Sequence, residues 1–239
     1  MFLSDKYFES YVRLPHYDKK MGYSWNLNDF VELTATIATI LTFFSGIGIC
    51  LTIKRKRDTT EVSAFPFLAG VINCSLWLKY GILQRDRTLM TVNSVGLFLQ
   101  IIYAVFYYWY SSNKSYIKKM FLVTALILFP ILLYLKYFAT DLIVATQTSG
   151  LVACCASIIF CASPLAGLAV VCKTKNAESL PFTLILMTLV MSLLWFLYGV
   201  LHDDYFIQVP NVLGACLAAF QLFLFYIFPR HPTTKADTY

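Results

Sequence analysis

The chain has 239 residues, of which 59% are apolar, 17% aromatic and only 13% charged, with a net charge of +6. Soluble domains carry about 45–50% apolar and about 25% charged residues. So much apolar surface cannot be hidden from water in a fold of this size, which excludes a cytosolic enzyme, a disordered chain and a disulfide-stapled secreted module.

Residues 1–29 are polar and contain no apolar stretch followed by a small-residue cleavage site, so the first span is expected to act as the insertion signal. Seven apolar segments follow, at 30–53, 62–83, 89–110, 120–138, 142–172, 180–201 and 206–228. Each approaches or exceeds the ~20 residues that cross a bilayer as a helix. Only Glu32, Lys79 and Lys136 among the charged residues fall inside these limits, each near a segment end from which it can reach the interface. The fifth segment is too long for a plain span and is expected to tilt, kink at Pro164 or run on into the cytosol. All seven cysteines lie in spans, as small apolar packing residues.

The basic residues report orientation rather than a nucleic-acid partner, because they are dispersed among the loops. The loops after the first, third and fifth segments and the C-terminal stretch carry eleven Lys and Arg, against Arg85 and Arg87 alone after the second, fourth and sixth. The positive-inside rule then puts the C-terminus in the cytosol and the N-terminus outside.

An internal repeat organises the chain. Residues 77–96 and 195–214 align without a gap at an offset of 118, with identities at Trp77/Trp195, Tyr80/Tyr198, Gly81/Gly199, Leu83/Leu201, Asp86/Asp204, Asn93/Asn211 and Gly96/Gly214. The offset holds upstream, where Ser45-Gly46 meets Ser163-Pro164, while Pro66-Phe67 corresponds to Pro181-Phe182. The repeat covers segments one to three and five to seven. Both halves enter from the same side, so an odd crossing must restore orientation between them, and the unrepeated fourth segment supplies it. The expected fold is an all-α integral membrane protein with seven transmembrane helices arranged 3+1+3. Its parts are an outer polar segment at 1–29, a first bundle at 30–110, a cytosolic loop and linker helix at 111–141, a second bundle at 142–228 and a cytosolic tail at 229–239. Parallel repeats of this kind form one transporter plan, with substrate bound near the midplane between halves.

Residues at equivalent places in the two halves are the candidates for lining that path. Asn93 and Asn211 offer amide donors and an acceptor suited to hydroxyl-bearing molecules, or else interhelical glue. Trp77 and Trp195 offer flat apolar faces and an indole donor, or else membrane-interface anchors. Pro66, Pro164 and Pro181 read as hinges, or as ordinary kinks and helix starts.

The strings SPLAGLAVVCKTKNAESLPF, LWFLYG and VPNVLG in the second half, with FPF, NCSLWLKYG and TVNSVGLFLQIIY in the first, resemble the SWEET family of sugar transporters across residues 30–228. The resemblance implies bidirectional facilitated diffusion of sugars by alternating access between two triple-helix bundles. It implies that Asn93, Asn211, Trp77 and Trp195 form the pocket and that Pro66, Pro164 and Pro181 belong to a proline tetrad. It places Thr39 and Thr42, with their counterparts Ser157 and Phe160, on the pocket wall. The first-span proline of the tetrad is replaced by Gly46, where Gly46→Pro is expected to be tolerated and Gly46→Leu to be harmful. An aromatic wall at Phe160 favours monosaccharides over sucrose.

A proton-driven lysosomal amino-acid exporter of related plan would want a Pro-Gln dipeptide and an intramembrane carboxylate, and a seven-span receptor would lack the repeat. No cofactor is expected, and no ion or nucleotide coupling. The expected partners are a sugar and the lipid bilayer, with homo-oligomers possible, in the plasma membrane or the Golgi.

Overall fold

The computed structural model describes residues 26–228 apart from 61, 140, 162–164 and 179. Its described elements are helices alone. The first half holds α1 (Leu27–Lys56), α2 (Phe65–Gln84) and α3 (Arg87–Tyr110), followed by α4 (Lys114–Tyr137). The second half holds α5 (Leu142–Cys161), the short α6 (Leu165–Thr174), α7 (Phe182–Leu201) and α8 (Tyr205–Ile227). All but α6 are long and apolar enough to cross a membrane, seven in number. This is an integral membrane protein of the expected class.

The ends are set by capping chemistry, which hydropathy does not see. Asn26 and Asp29 close a reciprocal capping box at the start of α1. Asp86, Asn113 and Asp204 accept from the first-turn amides of α3, α4 and α8. Accordingly α4 begins at Lys114 rather than Met120, while α1 runs through Lys54, Arg55 and Lys56 rather than stopping at Ile53 and ends at left-handed Arg57. The long fifth segment is two helices, α5 and α6, with Pro164 between them and outside the described residues.

Two other prolines named as hinges lie at helix starts. Pro66 is in the first turn of α2, and Pro181 is the N-cap of α7. Neither costs an intrahelical hydrogen bond there. The prolines inside described helices are Pro130 in α4 and Pro210 in α8.

Within each half the third helix is central: α3 packs on α1 and α2, and α8 packs on α5 and α7. The halves meet through α2 against α5 and α1 against α7, two contacts that the repeat exchanges with one another. The six spans therefore close into a ring, while α4 lies against α2 and lightly against α5. The repeat extends to backbone strain. Among the described residues, the non-glycine residues with positive φ are Arg57, Arg85, Lys175 and Asp203, again in pairs 118 apart.

We call the end bearing the α2–α3 and α7–α8 turns the turn end, and the opposite one the basic end. The turn-end core takes Val31, Tyr80 and Leu89 from the first half and Ala153, Tyr198 and Ile207 from the second. At the basic end the cores are separate. One gathers Ile53, Phe67, Tyr103, Tyr107 and Ile117 from the first half and α4; the other gathers Val171, Leu180, Ile185, Ala218 and Leu224 from the second. The halves are thus fused at the turn end and parted, among the described residues, at the basic end.

Gly46 packs against Tyr103 of the first half's basic-end core. A Cβ there would fall within van der Waals contact of the Tyr103 ring, 2.7 Å from Cδ2. Tyr103 is buried and its hydroxyl donates to the Phe43 carbonyl at 3.1 Å, so the ring cannot easily withdraw. Tolerance of Gly46→Pro is therefore no longer expected, since proline also carries a Cβ. Of the cysteines, Cys50, Cys74 and Cys154 are core residues, whereas Cys155, Cys172 and Cys216 face outward, and all are free thiols.

Candidate functional site

A cavity of 190 Å³ lies between the halves, just beneath the turn-end core. Its wall includes Asn93 and Asn211, Trp77 and Trp195, and Thr39 and Ser157, three repeat-related pairs. Thr42 and Phe160 are not in the wall in this conformation; their chain neighbours Phe43 and Cys161 are. Counting whole turns fixes the level along a helix, but a single residue rotates the side chain by about 100°. Thr42 instead donates to the Ala38 carbonyl of its own helix.

Each asparagine is oriented by its own helix. Nδ2 of Asn93 donates to the Leu89 carbonyl at 2.8 Å, and Nδ2 of Asn211 to the Ile207 carbonyl at 2.7 Å. These bonds do not join helices, so they are not interhelical glue. They use one amide hydrogen and hold the side chain at the cavity wall.

The tryptophans bridge the halves reciprocally. Nε1 of Trp77 donates to Oγ of Ser157 at 2.9 Å, and Nε1 of Trp195 donates to Oγ1 of Thr39 at 3.0 Å. Residues 39 and 157 are repeat equivalents, so this is one contact made twice. It fixes both indole planes as cavity walls, and Trp77 is buried rather than placed as an interfacial anchor. The Ser157 hydroxyl donates in turn to Oδ1 of Asn73 in the first half at 3.0 Å. Asn73, Ser192 and Pro210 line the cavity without having been singled out from the sequence. Asn73 and Ser192 have no identical partner across the repeat; their signal was only a polar residue one turn or less before each tryptophan.

Above the cavity the turn end is shut by a second reciprocal pair. The Tyr80 hydroxyl donates to Oδ2 of Asp204 at 2.7 Å, and the Tyr198 hydroxyl donates to Oδ2 of Asp86 at 2.7 Å. Each bond crosses between halves and ends on a helix-capping carboxylate, so the cap also acts as a latch. Phe206 sits edge-on to Tyr80 at 5.8 Å, and both rings press against Gly150, where a Cβ would lie 2.5 Å from Phe206. Burial pushes the Asp204 carboxyl above the usual carboxylate range, opposed by the Tyr80 hydroxyl and the amides of Ile207 and Phe206. The Tyr and Asp identities were visible in the repeat, but their pairing was not, because the partners belong to opposite halves.

A further contact has no repeat mate. Nε2 of His202 lies 3.2 Å from Oε1 of Glu32, joining α7's end to α1. At the position equivalent to His202 stands Gln84, which donates to the Tyr80 hydroxyl at 2.9 Å.

Such a molecule has a central polar and aromatic cavity, one closed end and one parted end. Its walls offer amide, hydroxyl and indole groups to a small hydroxylated solute between the halves. Comparison with known proteins agrees with this geometry. A family described as "Sugar efflux transporter for intercellular exchange" matches the chain twice, over residues 29–115 and 147–233. The chain is 36% identical to Sugar transporter SWEET1 of Drosophila pseudoobscura pseudoobscura over 202 residues, covering 84% of this chain and 89% of that one. It is 35% identical to Sugar transporter SWEET1 of Rattus norvegicus over 211 residues, covering 87% of this chain and 94% of the relative. A eukaryotic SWEET transporter solved at 3.7 Å resolution superposes with a TM-score of 0.74 at 28% identity, covering 84% of this chain and 98% of that structure. With its doubled three-helix match, its seven spans and its paired cavity residues, this chain belongs to the SWEET family of transporters.

Proposed function

We propose that this protein carries sugars, with monosaccharides favoured, across its membrane in either direction by alternating access and without coupling to an ion. The observation that carries the reading is the cavity walled by Asn93, Asn211, Trp77 and Trp195 at the junction of the repeats. Two amides, each with a polar edge toward the cavity, can meet sugar hydroxyls, while two indoles present apolar faces to the ring. The volume of 190 Å³ lies below the ~300 Å³ at which drug-sized pockets begin, which suits one sugar ring better than two.

The basic end carries Lys54 to Arg57, Lys114, Lys118 and Lys119, and Lys173 and Lys175, so we place it in the cytosol. The conformation described is then closed outward and parted inward. Moving to the opposite state requires breaking the two Tyr–Asp bonds and rocking the halves. Pro164 lies at the junction of α5 and α6 and is the hinge candidate we retain; Pro66 and Pro181 serve as starts of rigid rods, and Gly46 as a packing notch. The plasma membrane is the expected location.

The test is uptake of radiolabelled glucose into vesicles containing the purified protein, with no ion gradient. Saturable entry and equal-rate efflux are expected, with sucrose competing poorly. Asn93→Ala and Asn211→Ala should each reduce flux about tenfold or more, as an unmatched buried hydroxyl costs about 1–3 kcal/mol. Normal flux in both variants would displace the pocket, and sugar accumulation driven by a proton or sodium gradient would end the uncoupled reading.

A further inference from the structure

The contact between His202 and Glu32 requires a proton. Nδ1 of His202 lies 3.0 Å from the Tyr198 carbonyl, and Nε2 lies 3.2 Å from Oε1 of Glu32. A carbonyl only accepts, and an ionised carboxylate only accepts. Neutral imidazole has a single N–H, so with ionised Glu32 one of these two contacts would set acceptor against acceptor. Both are satisfied when the pair holds one more proton, as imidazolium facing carboxylate or as neutral imidazole facing a carboxylic acid.

That proton sits on the latch. The His202 ring stacks on Tyr198 with centroids 4.1 Å apart and planes 20° apart, and Tyr198 is the donor to Asp86. Glu32 is tied in turn to the first half through Thr88, whose Oγ1 donates to Oε2 at 3.4 Å. On α1, α7 and the elements packed against them, the other charged groups at this end are Asp29 on α1, Arg85, Asp86 and Arg87 around the start of α3, and Asp203 and Asp204 in the turn to α8. The repeat mate Gln84 cannot titrate, so only one of the two latches is equipped this way. Both side chains are about one-third exposed, 33% for His202 and 37% for Glu32, while the turn end is shut. His202 caps the end of α7 and Glu32 lies within two turns of the start of α1, which places both to exchange protons with the solution on their own side.

We propose that His202 and Glu32 form a proton-binding site that holds the turn end closed when the adjoining solution is acidic and releases it when the proton leaves. Because the proton enters and departs on one side, it regulates the opening without being carried across. This deepens the transport reading, and its effect on flux rests on that reading.

The test uses the full chain in vesicles, with Cys155, Cys172 and Cys216 changed to serine and spin labels at Ile82 and Tyr205, which flank the turn end and are exposed. Label separation and glucose efflux are followed from about pH 5.5 to about pH 8 on the turn-end side. The ratio of closed to open populations should fall about tenfold or more across it, as expected for losing a hydrogen bond between charged groups. Glucose efflux should rise over the same pH range. His202→Gln and Glu32→Gln should each flatten both curves. A separation that does not change with pH, or that changes equally in His202→Gln, overturns the proposal and moves any dependence to Asp86 or Asp204. Labels that switch with pH in a protein with no glucose flux would keep the proton site and overturn the transport reading instead.

Discussion

The two ends of the molecule solve the same packing problem in opposite ways. At the turn end, apolar residues from both halves share one core, and two partly buried hydroxyl–carboxylate bonds cross it. At the basic end each half completes a core of its own, and the tyrosines there bond within their own half, Tyr107 to the Val62 carbonyl at 2.8 Å and Tyr103 to that of Phe43. The difference teaches where motion is cheap. A self-sufficient core loses nothing when its neighbour leaves, whereas a shared core holding polar bonds separates only if those bonds find other partners.

The comparison breaks most completely if the latch is removed. Tyr80→Phe combined with Tyr198→Phe deletes two bonds to carboxylates, each worth about 1.5–3 kcal/mol. The double variant should lose most of its turn-end-closed population, seen as a widened separation between labels at Ile82 and Tyr205; an unchanged separation would show that the shared apolar core closes this end alone.

The acid side of that experiment has a defined sign. Burial raises the Asp204 titration, so its contribution favours the fold at low pH and is lost as pH rises through that elevated carboxylate range. Tyr80→Phe removes a group that opposes the rise and should move the titration higher still. The infrared band of the protonated carboxyl, assigned by its absence in Asp204→Asn, should persist to higher pH in Tyr80→Phe.

Gly46→Leu and Gly46→Pro test the other member of the comparison. Both force atoms onto a buried ring and should cost about 1–3 kcal/mol of stability through overpacking. Because the first half's basic-end core is private, thermal unfolding should come earlier while the turn-end separation stays as it was. A variant of either kind that opened the turn end would show the two ends to be mechanically joined.

The smallest effect should come from the cavity bridges. Ser157→Ala and Thr39→Val each leave an indole without its acceptor, costing about 1 kcal/mol. The repeat predicts similar losses in glucose affinity for the two. A much larger loss from Ser157→Ala would reveal the added weight of Asn73, which accepts from Ser157 and has no counterpart beside Thr39.

The seven spans and the doubled architecture were legible because hydropathy and an ungapped offset of 118 are properties of the chain read in line. Asn93, Asn211, Trp77 and Trp195 were legible because each appears twice. The latches were only half legible: Tyr80, Tyr198, Asp86 and Asp204 stood out as identities, yet the bonded partners lie 124 and 112 residues apart. The Glu32 contact with His202 left no trace in the repeat, since neither residue recurs. Helix ends were misjudged where capping side chains, not apolar content, set the boundary, as at Asn26 and Asn113.

Two of the left-handed helix ends bear on how the chain is made. Arg57 and Lys175 hold φ of 51° and 55°, a conformation in which glycine would rest about 1–2 kcal/mol more easily. Both lie in the basic loops, where a positive charge biases which way a nascent span settles in the bilayer. One residue at each place therefore ends a helix and carries a charge of the kind that biases insertion. A chain refined only for firmness of fold would drift to glycine there and emerge from the ribosome with weaker directions for its own insertion.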